Sequence, residues 1–109
     1  MKSILIKDKS FEFAVRIVRL NVFLRGIKKE YILSKQILRS GTSIGANIEE
    51  ASGAVSKADF KNKLSIAYKE ARETYYWLKL LQRTNFINDK MFISLGGDCE
   101  EIKKSFILY

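Results

Sequence analysis

The chain has 109 residues, 47% of them hydrophobic, which is enough for one ordinary core and leaves no room for a second domain. Lys and Arg number 20 against 12 Asp and Glu, so a net charge of +8 should draw the surface to polyanions, either nucleic acid or an anionic membrane. His is absent and Cys occurs once, which removes zinc sites, di-iron Glu-x-x-His sites, Ser-His-Asp and Cys-His catalysis and any internal disulfide.

The apolar opening Met1 to Ile6 runs at once into Lys7, Asp8 and Lys9, too short for a signal peptide or a membrane span, so a soluble cytoplasmic protein is expected. Pro is absent and Gly falls mainly at Gly41, Gly45, Gly53 and the Gly96-Gly97 pair, leaving long stretches free to be helical. Periodicity predicts helices over about 10–25, 34–52, 57–83 and 89–108, forming one domain over 1–109. Short connections place sequence neighbours side by side in opposite directions. The expected fold class is therefore all-α, an antiparallel up-down-up-down four-helix bundle.

The first helix carries two apolar stripes on opposite sides, Phe11, Val15, Val18 and Val22 on one, and Phe13, Ile17, Leu20, Leu24 and Ile27 on the other. A bundle helix buries one stripe in its own core, so the second calls for another partner. In the second helix, with Ser34 as its expected cap, Ile37, Leu38, Gly41, Ile44, Gly45, Ile48 and Ser52 face one way. The opposite face holds Thr42, Ser43, Ala46, Asn47 and Gly53 between Arg39 and Glu50, where a solvated helix usually carries Lys and Glu. Two unexplained faces on adjacent helices predict a homo-oligomer whose subunit interface includes Phe11, Val15, Val18, Val22, Arg39, Ser43, Asn47 and Glu50. Ser43 and Asn47 would hydrogen-bond across it and Arg39 would pair with Glu50 between subunits; the alternative is that this polar set simply meets solvent.

The third helix opens on Ser56-Lys57-Ala58-Asp59, a capping-box pattern, and buries Phe60, Leu64, Ala67, Ala71, Thr74 or Tyr75, Leu78 and Leu81. Beside that stripe runs a flank of Lys61, Ser65, Tyr68, Arg72, Tyr76, Lys79 and Arg83, joined on the first helix by Arg16 and Arg19. Residues 1–33 carry +5 and residues 56–85 carry +4, against 0 for 34–55 and −1 for 86–109. Cations interleaved with Tyr suit phosphates and unpaired bases; alternatively the flank is solvated, its stems covering apolar surface and its heads pairing with Glu70 and Glu73. Trp77 reads as an anchor at the core edge. The fourth helix, capped by Asn88, buries Met91, Leu95, Cys99, Ile102 and Phe106, with Cys99 an inert buried thiol. Gly96-Gly97 inside it marks a break, a kink or a close backbone approach.

Adjacent carboxylates at Glu49-Glu50 and Glu100-Glu101 point in different directions on a helix, and no phosphate-binding loop follows a strand, so no enzymatic site, cofactor or metal is expected.

The block from Ser34 through Arg39, Gly41, Gly45, Asn47 and Glu50 to Phe60, continuing from Leu64 to Thr74 and Trp77-Leu78, resembles the bacterial four helix bundle proteins of the 23S ribosomal RNA intervening-sequence family. Phe11 to Leu20 looks like that family's first helix, and the resemblance covers roughly residues 10–87. The fourth helix matches in pattern, with the Gly96-Gly97 pair departing from it. The resemblance implies a cytoplasmic bundle assembled into a ring, a homopentamer. It extends to the accessory variability determinants of diversity-generating retroelements, basic rings that assist a reverse transcriptase. Together these readings favour a non-enzymatic oligomer that binds RNA or single-stranded DNA through Arg16, Arg19, Lys61, Arg72, Lys79 and Arg83. The alternative is a scaffold that docks a protein partner such as a reverse transcriptase.

Overall fold

The computed structural model describes residues 2–106, with side chains from Leu5 onward. It holds four helices, α1 (Lys2–Gly26), α2 (Leu33–Ser52), α3 (Lys57–Arg83) and α4 (Asp89–Ser105), and no strand among the described residues. The body measures 43 × 21 × 18 Å. α1 and α3 each pack against α2 and α4. Along every packed pair the contacts run in opposite chain order. Lys7 meets Glu49 while Asn21 meets Ser34 across α1–α2. Arg39 meets Glu73 while Glu50 meets Lys63 across α2–α3, and Tyr75 meets Phe92 while Tyr68 meets Phe106 across α3–α4.

The core holds most of the set the periodicity picked out. Phe60, Met91 and Phe106 are only half-buried at its edge, Ser52 is exposed, and Ile87 of the α3–α4 connection joins it unpredicted. Phe13, Ile17, Leu20 and Leu24 of α1, Ile37, Ile44 and Ile48 of α2, Ala67, Ala71, Leu78 and Leu81 of α3, and Leu95, Cys99 and Ile102 of α4 form one buried cluster. Small residues let α1 and α2 approach: a Cβ built on Gly41 would stand 2.8 Å from both Cγ atoms of Ile17, and one on Gly45 would stand 3.3 Å from the Ser10 carbonyl oxygen. On the other side of α2, Thr74 donates to Ser40 Oγ at 2.9 Å in a buried hydroxyl pair across the α2–α3 seam.

Three expectations are corrected, and one set of alternatives narrows to a single reading. α1 begins at Lys2, eight residues before the predicted start, and Ile6 continues its core stripe. Ile27, placed on that stripe, lies beyond the helix end and is exposed. Ser34 does not cap α2. It is buried in the first turn, and the Glu30 carboxylate instead accepts from the amides of Ile32, Leu33 and Ser34 at 3.3, 3.0 and 2.7 Å. Finally, α4 runs through Gly96-Gly97 without a break; Gly96 is buried where a Cβ would touch the Tyr75 ring at 3.4 Å, which leaves close approach as the reading that fits. The predicted continuation of this helix to 108 falls partly outside the described residues.

The expected caps of α3 and α4 are present. Ser56 accepts from the Asp59 amide at 3.0 Å and Asn88 from the Met91 amide at 2.8 Å. The Asp59 carboxylate accepts from the Val55 amide, one residue ahead of the position a strict capping box would use.

Candidate nucleic-acid interface

Two groups of cations bear on the candidate site. The first is held in intramolecular ion pairs that stitch neighbouring helices together. Arg16 reaches from α1 to α4, pairing with Asp98 at 2.6 Å and donating to Ser94 Oγ at 2.8 Å. Arg39 pairs with Glu70 at 3.1 Å and also with Glu73, which in turn accepts from the Trp77 indole at 2.9 Å. Lys7, Lys9 and Lys63 find Glu49, Glu101 and Glu50. Within the chain, Arg39 and Glu50 each find a partner on α3, Glu70 and Glu73 for the first and Lys63 for the second.

The second group comprises Lys61, Arg72, Lys79 and Arg83 of α3, with Arg19 of α1. All are exposed, and none lies within ion-pair distance of an acid among the described residues. The reason is geometric: steps of eleven, seven and four keep the four α3 cations on a flank turned away from Glu70 and Glu73, whose carboxylates are taken by Arg39. From Lys61 to Arg83 that flank runs roughly 33 Å at the α-helical rise. Of the six proposed phosphate contacts the structure gathers these four on one helix face. Arg19 stands on another helix, and the guanidinium of Arg16 is already occupied.

Towards its C-terminal end the basic flank meets α4. There Tyr75 and Phe92 lie with ring centroids 5.8 Å apart, Lys79 Nζ sits 5.6 Å from the Tyr75 centroid, and Tyr76 is 55% exposed, edge-on to Trp77 at 5.1 Å. Tyr75, Tyr76, Lys79, Leu80, Gln82, Arg83 and Phe92 line an open groove of about 390 Å³. Phe92 was missed from the sequence, being one step off the Met91 stripe; an aromatic beside a core stripe is the only signal that marked it.

The predicted interface residues separate in the same way. Phe11 and Val22 are 65% exposed and Val18 46%, so the second stripe of α1 stays outside the core, with Val15 half-buried beside it. Between this stripe and α2 lies a second groove, about 360 Å³, whose walls include Phe11, Ala14, Thr42 and Ala46, with Lys7 and Glu49 among its lining residues. Ser43 and Asn47 turn back onto their own helix, donating to the carbonyls of Arg39 at 2.6 Å and Ser43 at 2.8 Å.

Cys99 is fully buried and donates to the Ala71 carbonyl at 3.3 Å. Burial pushes its thiol up to about 12 from 9.0, with Glu100 and Asp98 adding to the rise and Lys103 opposing it. No group of His, Cys, Asp and Glu among the described residues is arranged to hold a metal ion, and no described helix is long and apolar enough to cross a membrane.

A family model described as 23S rRNA-intervening sequence protein matches residues 2–107. The match takes in α4 with its glycine pair, beyond the 10–87 over which the resemblance was legible. A crystal structure at 1.70 Å of a protein with unknown function from the S23 ribosomal protein family of Bacteroides thetaiotaomicron VPI-5482 is 59% identical, with a TM-score of 0.98 over 99% of this chain and 96% of that one. No protein of curated function matches the chain.

Proposed function

Given that the chain belongs to the family of 23S rRNA-intervening sequence proteins, we propose that it is a non-enzymatic, homo-oligomeric protein of the cytoplasm that binds RNA or single-stranded DNA through phosphate contacts. The observation that carries this reading is the alignment of four exposed, unpaired cations along one face of α3, among the further unpaired cations spread over the rest of the surface. Arg16, Arg39, Lys7, Lys9 and Lys63 are consumed by the fold, whereas Lys61, Arg72, Lys79 and Arg83 stay exposed without an acid on one flank of α3. An unneutralised row of this kind attracts a polyanion whatever its sequence.

Opposite contact order along each packed helix pair supports the antiparallel up-down-up-down arrangement. The outward stripe of Phe11, Val18 and Val22 supports assembly, for which the family resemblance suggests a ring of five. A ring repeats the basic flank in every subunit and multiplies the local potential.

Fluorescence anisotropy of a labelled single strand across a salt series tests the reading. Affinity should fall steeply with salt, and each of Lys61→Gln, Arg72→Gln, Lys79→Gln and Arg83→Gln should flatten the slope of log K against log salt by about 0.7. Absence of binding to RNA and to single-stranded DNA at about 50 mM salt would overturn it. Nuclease-resistant capture of a reverse transcriptase, without nucleic-acid binding, would favour the scaffold.

A further inference from the structure

Four grooves formed by the described residues can be compared by charge; the one at the α2–α3 turn, lined by Ala51, Ser52, Val55 and Phe60, carries Lys57 as its single charge. Between α1 and α4 the lining carries Asp8, Glu12, Asp98 and Glu101 against Lys9 alone, which repels an anion. The groove between α1 and α2 balances Lys7 with Glu49. Of these four, the one between α3 and α4 combines two cations, Lys79 and Arg83, with aromatic walls and no acid in its lining. Its two sides are fixed to one another, since Gln82 donates to Asp89 at 2.9 Å and Tyr75 packs against Phe92.

We infer that this groove is a stacking site for one unpaired nucleobase, held against Tyr76, Tyr75 and Phe92 with the flanking phosphates on Lys79 and Arg83, so that the protein selects single-stranded over duplex nucleic acid. This rests on the nucleic-acid reading above and deepens it. Its volume, about 390 Å³, falls in the roughly 300–1,000 Å³ range of small-ligand sites. It is open along one side, which suits a base that remains joined to its strand. Tyr76, more than half exposed, presents a ring that the core does not need. A base paired within a duplex cannot enter; its faces are covered by its neighbours, and only an unstacked base has a free face to lay on an aromatic side chain. Towards the N-terminus of α3 the same flank offers Arg72 and Lys61 to the rest of the strand, so the groove fixes one base while the flank tracks the backbone.

The test compares a single-stranded RNA of about 12 nucleotides, within the range that single-strand sites cover, with the duplex of the same sequence, by anisotropy at about 50 mM salt. The single strand should bind more tightly than the duplex. Tyr76→Leu, at an exposed position that does not threaten the fold, should weaken the single strand about 5- to 100-fold, leave its salt slope unchanged and leave the duplex unaffected. Phe92→Leu should act in the same direction, and Lys79→Gln should lower the slope instead. Wild-type binding by both aromatic variants, or equal losses for single strand and duplex, overturns the stacking site while the broader reading stands. Failure of wild type to bind either RNA or a single-stranded DNA of the same sequence overturns both.

Discussion

Gly41 and Gly97 are both helical, and a methyl group added to them meets opposite surroundings. At Gly41 the new Cβ would press on Ile17, which is β-branched, fully buried and unable to withdraw. Gly41→Ala should therefore lower stability by about 1–3 kcal/mol in urea titration, despite its better helix propensity. Gly97 faces open space, and Gly97→Ala should raise stability by about 0.5–1 kcal/mol. Position 99 makes a pH prediction. The unfolded thiol ionises near 9.0 and the folded one near 12, so the folded state keeps a proton that the unfolded state releases. Stability is untouched below 9.0 and falls as pH climbs from there towards 12. The wild type should lose more stability over that window than Cys99→Ala, and thiol labelling of the native protein should wait on unfolding.

Between helices, burial decides which hydroxyls matter. Thr74 Oγ1 lies within reach of both Ser40 Oγ and, at 2.8 Å, the Glu70 carbonyl, and its one proton serves either; Ser40 has no other side-chain hydrogen bond among the described residues. Thr74→Val should cost about 1–3 kcal/mol by orphaning Ser40, and Ser40→Ala should cost less because Thr74 keeps its carbonyl. The start of α2 rests on a single side chain, so Glu30→Ala should cost about 1–2 kcal/mol and speed amide exchange in residues 32–34. These features also mark the limits of the sequence reading. The positions of α2 and α3, the start of α4, most of the core stripes and the caps at Ser56 and Asn88 were legible because they depend on residues three and four apart, whereas the first eight residues of α1 were not. The cap at Glu30 was not, because Lys29 turns the chain in the left-handed region at φ 57° and folds the carboxylate forward, a step no spacing rule encodes. Nor was the α3–α4 groove, which needs Phe92 from one helix and Tyr75 from another.

At the scale of the molecule, sequence charge located the basic flank but could not divide free cations from paired ones. That division needs Glu70 and Glu73 to be placed beside Arg39. It also separates the effects of two substitutions of like charge. Arg16→Gln removes a link to α4, and Arg72→Gln removes only exposed charge; thermal unfolding should register the first by up to about 1 kcal/mol and the second hardly at all. Light scattering at micromolar concentration should give a mass of several chains for the wild type. Val18→Asp should reduce it towards 12.6 kDa without loss of helicity, since that side chain lies outside the core.

The hydroxyl of Thr42, the hydroxyl of Ser43 and the amide of Asn47 each donate to a carbonyl of their own helix. These polar donors have therefore given up much of their water before anything approaches. A surface so prepared sheds little hydration when it is covered, and what it recognises in a neighbour is contour. Enlarging Ser43 should then disturb association more than deleting its hydroxyl.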